Sequence, residues 1–161
     1  MKQNLPLSGV KNLFVALLLT APLGACDSLF GKEVARLPIN AISTPEREVM
    51  KEATLKLKKD DKIAVWSEMD MAYDGDAPVR FQMVVLQDGT PFQQLEIDPT
   101  KKNISVSEVK TTLNSKVNWR FSGKNTEVTI PANASYTFKA RLIAGNNSTL
   151  QIKKAELVLK K

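Results

Sequence analysis

From Lys62 onward, polar and apolar residues alternate along the chain, and this period of two constrains the fold more than any other feature. "KIAVWSEMDMAY" places Ile63, Val65, Ser67, Met69, Met71 and Tyr73 on one side and Ala64, Trp66, Glu68, Asp70 and Ala72 on the other. That is the geometry of a strand with one buried face, not of a helix. "PVRFQMVVLQ" repeats it with Val79, Phe81, Met83 and Val85 inward. "PFQQLEID", "NISVSEVKTT", "KVNWRFSG", "TEVTIP", "SYTFKARLIA" and "TLQIKKAELVLKK" follow. Turn formers separate them: Asp88-Gly89, the strongest short hairpin signal, then Asp98-Pro99, Ser122-Gly123-Lys124-Asn125 and Gly145-Asn146-Asn147.

Eight or nine short strands with no crossover helices between them predict an all-β fold. The expected architecture is an antiparallel β-sandwich over residues 45–161, jelly-roll-like or immunoglobulin-like. The closing stretch, from Tyr136 onward, resembles the last strand pair of jelly-roll domains, a likeness of fold alone. A turn at Asp74 to Ala77 would set Met71 opposite Phe81 and Met69 opposite Met83, with Asp70 diagonal to Arg80 as a weak surface pair.

Upstream the period is lost. Residues 27–44, with Gly31 and Pro38, read as a linker, spanning roughly 25 Å as a coil. Ser43 and Glu46 fit a capping box with Pro45 in its first turn, and Val49, Met50, Ala53 and Leu57 follow at helical spacing. A short helix over about 45–53 is one expectation; "TLKLK", with Leu55 and Leu57 alternating, competes as a first strand.

The first 25 residues have the order of an export signal: basic Lys2 and Lys11, the apolar "LFVALLLTAPL", then small residues. The run ends in Leu23-Gly24-Ala25-Cys26, which closely resembles the lipobox of bacterial lipoproteins. The resemblance implies that residues 1–25 are removed, that the Cys26 sulfur carries a diacylglyceryl group, and that the mature protein begins at Cys26. Two or three acyl chains hold a protein stably at a bilayer, where one alone is marginal. Asp27 resembles the signal that retains enterobacterial lipoproteins in the inner membrane, so the periplasmic face of that membrane is favoured over the outer membrane or the cell surface.

Composition narrows the chemistry. The chain has no histidine, which removes imidazole catalysis and histidine-ligated metals, and one cysteine cannot close an internal disulfide. No cofactor is expected. The net charge is +6, falling to +4 once Lys2 and Lys11 leave with the signal. Lysine pairs such as Lys153-Lys154 and Lys160-Lys161 suit strand ends, where they discourage edge pairing, with anionic headgroups or acidic glycans as a second reading. No basic run interleaved with aromatics suggests nucleic-acid binding.

Three constellations remain. "SEVK" matches an S-x-x-K string, but on a strand Ser107 and Lys110 point to opposite faces. Glu68, Asp70, Asp74 and Asp76 are weak candidates for a metal site, without the spacing of a calcium loop. Trp119 joins Val117 and Phe121 on a core face, whereas Trp66 is out of phase with Ile63, Val65 and Met69. That sets Trp66 on the outer face near Val84 and Leu86, a candidate binding patch. The competing reading has the segment from Glu33 to Lys59 folding over it. The expectation is a non-catalytic envelope lipoprotein whose sandwich binds a protein partner, with a carbohydrate- or small-ligand-binding module as the alternative. A carboxylate- or metal-dependent hydrolase is a more distant one.

Overall fold

The structure is a computed structural model and describes residues 30–161. The signal segment, Cys26 and Asp27 lie outside the described residues.

Nine strands follow in order: β1 (Glu33–Pro38), β2 (Met50–Leu57), β3 (Lys62–Asp74), β4 (Val79–Gln87), β5 (Thr90–Ile97), β6 (Ile104–Leu113), β7 (Lys116–Thr129), β8 (Ala134–Ala144) and β9 (Gln151–Lys160). They form a five-stranded sheet, β1-β9-β3-β7-β6, and a four-stranded sheet, β2-β8-β4-β5, with every strand pair antiparallel. The pairs nest: β1 with β9, β2 with β8, β3 with β7, and β4 with β5. A long hairpin rolled up on itself gives this order, so eight strands make a jelly roll. The ninth, β6, is inserted between β5 and β7 and extends the first sheet beyond that roll.

The alternation dictates the core. Ile63, Val65, Met69, Met71 and Phe121 come from the first sheet and Phe81, Met83, Val85, Phe138 and Leu142 from the second. Each side chain of this size contributes about 1.5–3 kcal/mol on burial. Asp88 and Gly89 both have positive φ, 47° and 85°, the left-handed pair that a tight two-residue hairpin requires, and they close β4 onto β5 as the sequence predicts.

Several local expectations are corrected. The segment 27–44 is not all linker: β1 pairs with β9, Ile39 is buried, and Ser43 N–H donates to the Leu142 carbonyl at 2.7 Å. The helix over 45–53 does not form. Ser43 Oγ instead bonds both the N–H and the carbonyl of Val49 at 2.9 Å, closing a loop, and residues 50–57 pair along their whole length with β8. Tertiary pairing overrides a capping signal worth about 1 kcal/mol. Ser122 to Asn125 is no turn but the interior of β7. Gly123 is needed there because a Cβ would collide with the Ile104 carbonyl of β6, and the register between β3 and β7 shifts by one residue at the same level. Finally, β3 and β4 are not hairpin partners. They lie in opposite sheets, so Met69, Met71, Phe81 and Met83 share a core without pairing as neighbours. Asp70 bonds Arg120 of β7 at 2.7 Å, and Arg80 reaches Asp98 at 3.2 Å.

Candidate functional site

The expected patch of Trp66, Val84 and Leu86 is not assembled. Trp66 does point outward from β3, as its phase requires, but it is only 2% exposed. The Phe30 ring meets it edge-on at 5.6 Å and the Lys160 ammonium lies 4.4 Å from its centroid. The cover is therefore Phe30 and the last strand, not the segment from Glu33 to Lys59. Val84 and Leu86 belong to the other sheet, where with Met50, Gln82, Gln94 and Arg141 they line an open groove of about 700 Å³.

The four acidic candidates are not gathered around one point. On the outer face of the first sheet Arg36 bridges Glu33 at 2.7 Å, Glu68 at 3.0 Å and Glu156 at 2.5 Å, and Lys154 also bonds Glu68. Burial pushes the Glu68 pKa up, but hydrogen bonds from Arg36 and Lys154 outweigh it and hold the carboxyl below its usual range. Asp70 is engaged by Arg120. Asp74 and Asp76 flank a turn whose backbone carbonyls both accept from Asn147 Nδ2, at 2.9 and 2.8 Å. Among the described residues no three His, Cys, Asp or Glu side chains come together as a metal site.

The element that stands apart is β6. All ten of its residues are exposed, and its apolar side chains fall on both phases of the alternation. Val106 is 54% exposed, Val109 60% and Leu113 77%. Among the described residues only β7 pairs with it, and these leave its other long edge open. Its position is nonetheless fixed. Asn125 of β7 donates to the carbonyls of Asp98, Pro99 and Lys101, pinning the crossover that carries the chain from β5 to β6. Asn103 N–H donates to the Lys124 carbonyl at 2.8 Å and starts the pairing.

Beneath β6 lies Trp119, half-buried rather than sealed in the core, tilted against Phe121 at 4.8 Å. Its indole N–H donates to Glu108 Oε1 at 2.9 Å, and the Lys110 ammonium lies 4.2 Å from its ring centroid. Lys102 bonds Glu108 at 3.1 Å and sits 4.0 Å from the Phe121 centroid. The Lys102 bond above all, then that from Trp119, lowers the Glu108 pKa. These contacts clamp the inward face of β6 by polar and cation–π interactions in place of an apolar seam. Ser107 and Lys110 fall on opposite faces of the strand, aligned with Ser122 and Trp119 respectively. The sequence does carry a signal for this strand: in "ISVSEVKTTL" neither phase is consistently apolar, which is the pattern of a strand with no core to face.

No protein-family model matches the chain, and no curated protein matches it by sequence. Among solved structures it aligns with part of a β-glucosidase from Paenibacillus barengoltzii at 13% identity and a TM-score of 0.32. The alignment covers 76% of this chain and 10% of that one, and a likeness so slight carries no argument about function.

Proposed function

We propose that the chain is a non-catalytic lipoprotein of the cell envelope, anchored through acylated Cys26, whose sandwich binds a protein partner along β6. The supporting observation is β6 itself: a strand additional to the jelly roll, hydrogen-bonded at its base and offering an edge that no described strand pairs, beside exposed Val109 and Leu113. An extended segment adding to such an edge gains main-chain hydrogen bonds, and side chains at alternate positions supply specificity. Asp27 favours the periplasmic face of the inner membrane for this module; the outer membrane and the cell surface are the alternatives.

Photo-crosslinking side chains placed at Val109 and Leu113, in intact envelopes, test the reading. A discrete protein adduct from these positions, and none from Val84, is expected. The groove under Val84 and Leu86 favours a second reading, a carbohydrate- or small-ligand-binding module, because its amide and charged side chains beside an apolar floor suit a sugar. Saturable glycan binding lost on Gln82→Ala, with no adduct from β6, would replace the first reading by the second.

A further inference from the structure

We infer that the end of the sandwich carrying Phe30, Trp66 and Lys160 docks on the anionic phospholipid headgroups of the bilayer in which the acylated Cys26 is held. The inference rests on the lipid-anchor reading and adds an orientation to it.

Reach comes first. Four Cα steps separate Cys26 from Phe30, a span of about 15 Å at full extension. The headgroup layer on each face of a bilayer is about 5–8 Å deep. From Phe30 the chain is already fixed to the fold: its ring packs on Trp66, Lys32 N–H donates to the Lys161 carbonyl at 2.8 Å, and Lys161 N–H donates back to Lys32 at 2.9 Å. An anchored domain therefore has little free tether and keeps this end near the lipid.

The end is chemically suited to that position. A cavity of about 210 Å³ opens beside Phe30 and Trp66, lined by Lys62, Lys124, Lys160 and Lys161 with Glu127 as its one acidic side chain. Glu127 bonds Lys124 at 2.8 Å and lies 3.8 Å from Lys62; Asp61 holds Lys161 at 2.7 Å. Lys160 has no carboxylate within ion-pair distance among the described residues and rests against the indole instead. Trp66 Nε1 is buried and has no acceptor among the described residues. Ammonium groups are donors whose hydrogen bonds phosphodiester oxygens accept. The turn bearing Lys58, Lys59, Asp60 and Asp61 lies at the same end, tied to Ile130. At the opposite end Glu46, Glu48, Asp74 and Asp76 are matched by Arg47, Lys51, Arg141, which bonds Glu48 at 2.9 Å, and Lys116, which is aligned with Asp74. The far end is thus balanced in charge, whereas the end near the anchor carries the lysine-lined cavity.

All nine strands lie within residues 33–160, so a chain starting at position 26 with Cys26→Ser folds without lipid and reports docking alone. Cosedimentation at low ionic strength with vesicles of phosphatidylglycerol in phosphatidylcholine is expected to capture it, and pure phosphatidylcholine is not. Added salt should release it. Lys62→Gln, Lys160→Gln and Lys161→Gln together should weaken capture about 100-fold, at about five-fold per lysine. The same charge change at Lys51, Lys116 and Lys139 should leave it intact. Equal loss from both triple variants, or equal binding to neutral vesicles, overturns the inference. So does a Trp66 emission shift with inorganic phosphate, read in a Trp119→Phe background, without vesicle binding, since the cavity would then take a free anion. Labelling of Cys26 with a palmitate analogue reads the anchor separately: vesicle binding without label sinks the anchor, and label without vesicle binding sinks the docking end.

Discussion

Trp66 shows how much one residue's sequence context reveals. Its outward direction was legible from the alternation; its burial was not, because the covering groups, Phe30 and Lys160, are remote in sequence from it and from each other. Removing the ring leaves a cavity at a site that is 2% exposed, so Trp66→Ala should cost about 3–5 kcal/mol in urea unfolding. Trp66→Phe keeps most of the packing and deletes the N–H that has no acceptor among the described residues, and should stay within about 1.5 kcal/mol of the parent. Equal losses from both variants would mean that the N–H is bonded in the folded protein. Glu68 sets a pH dependence. Its folded pKa lies below the usual 4.5, so its contribution to stability is present above that value and fades as pH falls through the folded one. Arg36→Met removes the bridging guanidinium, and acid titration followed by circular dichroism should show a shallower loss below pH 4.5 in that variant.

At the scale of elements, the sequence was informative where a strand faces the core and ambiguous where it does not. Residues 62–87 show one apolar phase, and the two strands it predicts are β3 and β4. Residues 43–57 carry a capping box and a helical spacing, yet they are a loop and a strand, because eight successive residues align with β8 and every second one exchanges backbone hydrogen bonds with it. The Ser122 to Asn125 stretch has the composition of a turn for a different reason: glycine permits the close approach of β6, and asparagine holds the crossover behind it. Gly123→Ala should therefore push β6 off β7 near Ile104, at a cost of about 1–3 kcal/mol. Hydrogen exchange would locate the effect. Amides of residues 104–107 should exchange faster while those of β3 stay protected, and a uniform rise over all strands would refute a local role.

Over the whole molecule, the alternation predicted the all-β sandwich because burial on one face is written in each strand separately. Partners are not written there. Consecutive strands pair only about two-thirds of the time, and here β3 passes to the opposite sheet instead of turning back on itself. The order of the sheets comes from nested pairs that join the two ends of the chain. Deleting residues 151–161 should abolish the fold rather than trim it, because β1 and β3 would each lose β9 as a neighbour. A truncated chain that still gave a cooperative thermal transition would contradict this. β9 lies between β1 and β3, the middle strand of its sheet. Until residues 151–160 are in place, both of those strands lack a neighbour. Ring closure over so long a separation is slow, so a copy whose β9 is still unpaired stays open and threadable through a narrow channel.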